Sequence, residues 1–180
     1  MSFFAFRNFR HNRKIPLPAG LINGQSLGAV SDMKFGLSSM SRSGCEVIAV
    51  YNALLLHGMK QDFCEIARYM ERFRVLLGFW GTNFFTLGLC LRHFGLRARR
   101  VRRPDEAEAA LESGKTLVYV YWVGKRFRSS VHTVVLQTEH DALLVYNAFN
   151  HCGHIVRSKY EEYLRKRRMI FGYVIEEHSH

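Results

Sequence analysis

The run SGCEVIAVYNALLLHG, residues 43–58, decides how the chain is read. Ser43 and Glu46 stand at the Ser-x-x-Glu spacing of a capping box, in which two side chains answer the free backbone N–H groups of a helix start. Apolar residues fill most positions from Val47 to Leu56, and Gly58 suits the left-handed turn that ends a helix. The pattern predicts a helix over residues 44–57 with Cys45 in its first turn. Unpaired N–H groups and the positive end of the helix dipole favour a thiolate there, and the thiolate is the nucleophilic form of cysteine. Glu46 opposes this, because a neighbouring carboxylate raises a thiol's pKa. Taken alone, Cys45 reads as a small apolar residue packed at a helix end.

Working outward, Phe63, Ile66, Ala67 and Met70 recur at helical spacing and predict a second helix over Gln61–Phe73. LLGFWG, residues 76–81, is a turn-rich apolar loop whose Phe79 and Trp80 can line a groove or simply pack. Thr82 is placed to cap a third helix through Phe94, with Phe85, Leu89 and Phe84 on its inner side. Leu96–Arg102 alternates as a strand, and Pro104 opens a short helix over Asp105–Glu112. LVYVYWV (117–123), HTVVLQTE (132–139) and ALLVYNAF (142–149) are rich in β-branched and aromatic residues and predict strands, with Trp122 in the core. His140-Asp141 between the last two predicts a tight hairpin. A surface helix over Lys159–Arg168 and a last strand over Ile170–Ile175 complete the order. Helices first and antiparallel strands second make an α+β fold. Residues 1–35 lack sustained periodicity and hold two of the three prolines, so they read as an N-terminal arm on a domain spanning 36–180.

A chain of 180 residues, 48% hydrophobic and 23% charged, can bury a core of its own and is not a disordered tail. Its four cysteines are widely spaced without a Cys-x-x-Cys pair, which reads as free thiols in a reducing compartment. Charges interrupt every apolar run of the first twenty residues, so no signal-peptide core is evident, and no window offers the roughly 20 apolar residues of a membrane span. The expectation is a soluble, cytoplasmic protein. The net charge of +11 is spread over clusters at Arg7–Lys14, Arg92–Arg103, Lys125–Arg128 and Arg157–Arg168. No recognition motif accompanies them, so they read as solvated surface, with a nucleic-acid partner not favoured.

His132 gives Cys45 a partner. It opens a predicted strand after the basic turn GKRFRSS, and Asn147 follows fifteen residues later on the returning strand, where a side-chain amide can orient an imidazole. At these residues the sequence resembles a known family. SGCEVIAVYNALLLHG, GTNFFTLGLCLRHFGL (81–96) and VHTVVLQ…LLVYNAFN (131–150) look like the papain-like cysteine peptidases related to bacteriocin leader-processing, double-glycine peptidase domains. The resemblance covers the layout of residues 36–176. It implies a papain-like fold, a peptide or protein substrate and no cofactor or metal. It also implies Cys45 as nucleophile, His132 as general base and acid, and Asn147 as the residue that orients the histidine.

One position departs from that family, which carries a glutamine about six residues before the cysteine as an oxyanion-hole donor. Ser39 stands there instead, and the nearest preceding glutamine is Gln25. Ser39, Ser41 or the Cys45 backbone N–H can take the role, with Gln25 a remote candidate. Losing such a donor costs about 10²–10³ in rate. The departure keeps two alternatives to a peptidase open: a catalytically inactive papain-like domain that binds a peptide or partner, and a basic nucleic-acid-binding module. His151-Cys152-Gly153-His154 crowds metal-ligand types together but lacks a second ligand pair, and reads as a loop. Cys152 is at most a second thiol near the site. Cys64 and Cys90 read as core, and the closing His178-Ser179-His180 as a frayed end.

Overall fold

The computed structural model describes residues 3–17, 19–124 and 130–176. The cluster Lys125–Arg128 and the closing His178–His180 lie outside the described residues. Six strands form one antiparallel sheet in the order β3 (Arg97–Val101), β8 (Arg168–Glu176), β4 (Leu117–Val123), β5 (Ser130–Glu139), β6 (Ala142–Tyr146) and β7 (Val156–Ser158). Side chains alternate across it as the pleat requires. Val118, Val120, Val135 and Tyr146 face one core, while Leu117, Tyr119, Tyr121, Val134 and Val145 face another. The first core is closed by α4 (Cys45–Leu56), α5 (Phe63–Met70) and α6 (Leu87–His93). The second lies under α7 (Pro104–Glu112) and a π-helical turn at Glu161–Arg165. The architecture is α+β, with helices in the first half and the sheet in the second. Among the described residues no helix is long and apolar enough to cross a membrane.

The central helix runs over Cys45–Leu56 and is apolar almost all round, because it packs on the sheet on one side and on other helices elsewhere. Gly58 adopts φ +71° just beyond its end, as a helix-stopping glycine does. The start differs from the sequence expectation. Ser43 does not cap this helix: it ends a separate short helix, α3 (Met40–Ser43), and donates its hydroxyl to Ser38 Oγ at 3.1 Å. Gly44 joins the two helices. A Cβ there would lie 2.4 Å from Met40 Sδ and 2.5 Å from Met40 O, so only glycine lets α3 abut α4 and set Cys45 as the first helical residue.

Three other elements depart from expectation. The third helix begins only at Leu87, after a 3₁₀ turn at Phe84–Thr86 capped by Asn83 rather than Thr82. The tighter turn resets the helical phase, so Leu87, Cys90 and Leu91 are buried while Phe85 and Leu89 are exposed. The surface helix expected at Lys159–Arg168 shrinks to the π-helical turn, because Tyr163 and Leu164 are drawn into the second core and β8 begins at Arg168. Trp122 is half-buried near the end of β4 and faces a cavity rather than the core. The β5–β6 hairpin turns through His140-Asp141 as expected, with His140 at φ +54°.

The first 35 residues contain a helix that their periodicity does not announce, α1 (Phe3–Asn12). It is held by polar contacts: Asn8 Nδ2 donates to Glu71 Oε1 at 2.8 Å and to Gly36 O at 2.7 Å, and Asn12 exchanges bonds with the Lys34 backbone. Farther along, Asn52 in the middle of α4 clamps the Ile22 N–H and carbonyl at 2.9 and 2.8 Å. These bonds hold Ile22 beside the middle of α4, and Gln25 reaches its start through Ser41.

Candidate active site

Cys45 stands where the start of α4 meets the free edge of β5. Strand β6 leaves its pairing with β5 at Tyr146–Val135, so residues 130–134 of β5 have no strand partner on that side among the described residues. The Thr133 backbone N–H is directed at the Cys45 sulfur and favours a thiolate. Two larger influences oppose it: burial, and the charge of Glu46, whose Oε2 accepts the thiol hydrogen bond at 3.2 Å. The thiol is therefore held well above its ordinary pKa and is protonated at rest. Glu46 is itself buried, and burial pushes its carboxyl up to about 7, against its own backbone N–H, the thiol and the Thr82 backbone N–H that favour its charge. Gly81, at φ +70°, closes over it; a Cβ there would come within 3.1 Å of Glu46 Oε2.

His132 approaches the same place from the opposite face of the sheet. Alternation along β5 turns Val131 and Val135 toward the helices and Val134 toward the second core, and His132 packs edge-on to Tyr121 on that second side. Its Nε2 lies 2.9 Å from the Asn147 carbonyl oxygen. A carbonyl only accepts, so in the neutral ring Nε2 carries the proton and Nδ1 is the basic nitrogen. Burial, with a lesser push from the Arg167 charge, holds the imidazole below its ordinary pKa and keeps it neutral. Cys45 and His132 line one cavity of about 690 Å³, with Gln25, Arg42, Tyr121, Trp122, Ala148 and the run Lys166–Arg168 among the other walls. A second cavity of about 430 Å³ meets it at Cys45 and is walled by Phe79, Trp80, Phe84 and Trp122.

Among solved structures this fold is similar to a double-glycine motif protease from an AMS/PCAT transporter, in complex with the leader peptide. The TM-score is 0.51, and the match at 16% identity covers 79% of this chain and 88% of that one. The chain has a papain-like fold, shared with that protease. No family model and no curated protein matches the sequence.

Within this fold Cys45 and His132 share one cavity wall, with no hydrogen bond between them among the described residues, and Asn147 hydrogen-bonds only to the histidine of the two. Asn147 meets the imidazole through its backbone carbonyl. The residue lies just past β6 at φ +58°, a left-handed conformation that asparagine tolerates better than most residues. Its side chain turns to Gln25 instead: Oδ1 accepts from the Gln25 backbone N–H at 3.2 Å, and Nδ2 donates to Gln25 Oε1 at 3.4 Å. Gln25 Nε2 in turn donates to the Ser41 carbonyl at 2.8 Å. The remote glutamine is thus on the cavity wall, whereas Ser39 and Ser41 line neither Cys45 cavity. Asn23 Oδ1 accepts from the Asn147 N–H at 2.8 Å, and Ser26 N–H donates to Asn150 O at 2.9 Å, lacing the two loops together.

The sequence reading held Gln25 only as a remote candidate, and took Glu46 as a charge that raises the thiol rather than as its hydrogen-bond partner. The first had no local signal, since it depends on loops 122 residues apart. The second was visible as an adjacent carboxylate but was assigned to a capping box. Cys152 Sγ lies 3.5 Å from His154 Nε2 in the loop outside the cavity, and among the described residues no group of three His, Cys, Asp or Glu is arranged to hold a metal. Cys64 and Cys90 are buried.

Proposed function

We propose that the protein is a papain-like cysteine hydrolase acting on peptide bonds, with Cys45 as nucleophile and His132 as general base and acid. The observation that carries this reading is the shared cavity, in which a helix-start cysteine stands with a histidine whose Nε2 proton is fixed by the Asn147 carbonyl. Thiol and imidazole are both neutral at rest, so the reaction begins by proton transfer rather than from a preformed ion pair. Cys45 leaves its bond to Glu46, His132 Nδ1 takes the thiol proton, and the sulfur bonds to the substrate carbonyl carbon. The C–N bond then breaks as Nδ1–H protonates the leaving amine, and water releases the acid from the acyl-enzyme with His132 as base. Gln25 Nε2 and the Cys45 backbone N–H are the proposed donors to the oxyanion, with Asn147 and Ser41 positioning the glutamine.

A second reading is a papain-like domain that binds peptides without cutting them, favoured by the thiol's resting bond to Glu46 and its raised pKa. One experiment separates the two. Wild-type protein and Cys45→Ala are incubated with a peptide library, and new amino termini are sequenced. Cleavage by the wild type alone is expected; identical patterns from both proteins would remove the hydrolase reading.

A further inference from the structure

The two cavities that meet at Cys45 differ in chemistry. The smaller is aromatic, and its exposed rings are built in place. Trp80 is 73% exposed, yet its loop is fixed from both sides. Val75 N–H donates to Gly81 O at 2.9 Å, and Leu37 N–H donates to Leu77 O at 2.8 Å. A Cβ on Gly36 would lie 2.2 Å from Leu77 O, so the loop presses backbone to backbone against the strand pair β1 (Lys34–Phe35) and β2 (Ser38–Ser39). Leu76 and Leu77 both take positive φ, at 44° and 57°, conformations that persist only where the surroundings enforce them. Large aromatic surface held open to water in this way marks a binding site.

The larger cavity is basic. Arg42, Lys166, Arg167 and Arg168 line it, and no carboxylate is among its described lining residues. Arg167 is stacked 3.6 Å from the Tyr163 ring centroid, and Arg168 lies over the Trp122 ring. His132 lines this cavity and not the aromatic one. In acyl transfer the histidine must reach the departing nitrogen, so the leaving half of a substrate crosses the cavity that holds the histidine.

Resting on the peptidase reading above, we infer that the substrate is an asymmetric peptide, with a bulky apolar side chain on the acyl half and acidic residues on the leaving half. The aromatic cavity takes the first by apolar contact, and the four cations receive the second. Arg42 lines both cavities, at the junction where the polarity of the bound chain changes.

The test uses two internally quenched peptides of identical composition, one apolar then acidic from its amino end and the other reversed. Binding is measured to full-length Cys45→Ala and cleavage by the wild type. The first peptide is expected to bind and to be cleaved about tenfold better, the combined effect of several part-exposed charge and aromatic contacts. Trp80→Ala should remove the apolar share of that preference, and Lys166→Glu with Arg168→Glu the acidic share. Equal binding of the two peptides, or binding of neither, overturns the inference. Cleavage of both alike overturns it while leaving the peptidase reading intact; selective binding without any cleavage upholds the cleft and removes the peptidase.

Discussion

Two helices of this protein carry a cysteine in the first turn beside a carboxylate, and they use the same parts differently. In α5 the carboxylate is Asp62 at the N-cap, which accepts the Cys64 N–H at 2.7 Å. Burial and the Asp62 charge push the Cys64 thiol up to about 12. In α4 no side chain caps the helix, and the carboxylate of Glu46 turns inward onto the neighbouring sulfur. Both thiols are raised, so a helix start does not by itself make a thiolate. What distinguishes Cys45 is its far side: the unpaired edge of β5, the Thr133 N–H and a cavity shared with a histidine. Cys64 lies at a smaller cavity of about 380 Å³ with Arg13, Tyr51 and Asp62 and with no histidine among its described lining residues.

That contrast can be broken most sharply by exchanging the thiols. Cys45→Ala should abolish peptide cleavage, while Cys64→Ala should leave kcat/KM within about twofold, the usual range for a change away from a site. Loss of activity in both would show that the far side of Cys45 is not what matters. His132→Ala should lower kcat by about 10²–10⁴, the ordinary contribution of a general acid and base. Asn147→Ala should lower it less, by about tenfold, since the imidazole is held by a backbone carbonyl that the variant keeps. A loss equal to that of His132→Ala would mean that the side chain orients the ring after all.

Glu46→Gln removes a charge that raises the thiol and should increase alkylation of Cys45 near neutral pH, by about tenfold for each pKa unit recovered. Its effect on stability has a defined sign. The Glu46 carboxyl is raised from 4.5 to about 7 on folding, so between those values the folded state binds more protons than the unfolded. The contribution is present in full below about 4.5 and is lost as pH rises through about 7. The variant's advantage in denaturant midpoint over the wild type should therefore grow across that window and level off above it. A pH-independent difference would place the carboxylate in contact with water. The smallest effect belongs to the conventional cap: Asp62→Ala should cost about 1 kcal/mol of stability in a denaturant titration and leave Cys45 alkylation unchanged.

The sequence carried the parts of the fold whose period is local. Helix α4, the β5–β6 hairpin and the strand LVYVYWV were legible because burial follows spacing within a single element. The phase of α6 was not, because a 3₁₀ turn three residues long rotates everything after it. Helix α1 escaped notice because it is held by Asn8 and Asn12 rather than by an apolar stripe alone. The places of Cys45 at the start of α4 and of His132 on β5 were legible from residue type and spacing. Which atom of Asn147 meets the imidazole depends on a left-handed turn after β6, and Gln25 reaches the cavity through bonds to the far end of the chain. Neither is encoded at short range.

The lacing of residues 23–26 to residues 147–150 has a consequence for how the chain acquires its chemistry. Contacts so distant in sequence close late, because the entropy of a long loop is lost before they repay it. A ribosome that has released the first hundred residues has made the cysteine helix and the aromatic loop, but not the histidine strand or the carbonyl that fixes its tautomer. The cysteine is thus synthesised well before the histidine that shares its cavity. The complete cavity arises only once nearly the whole domain has emerged, because its walls run from Gln25 to Arg168.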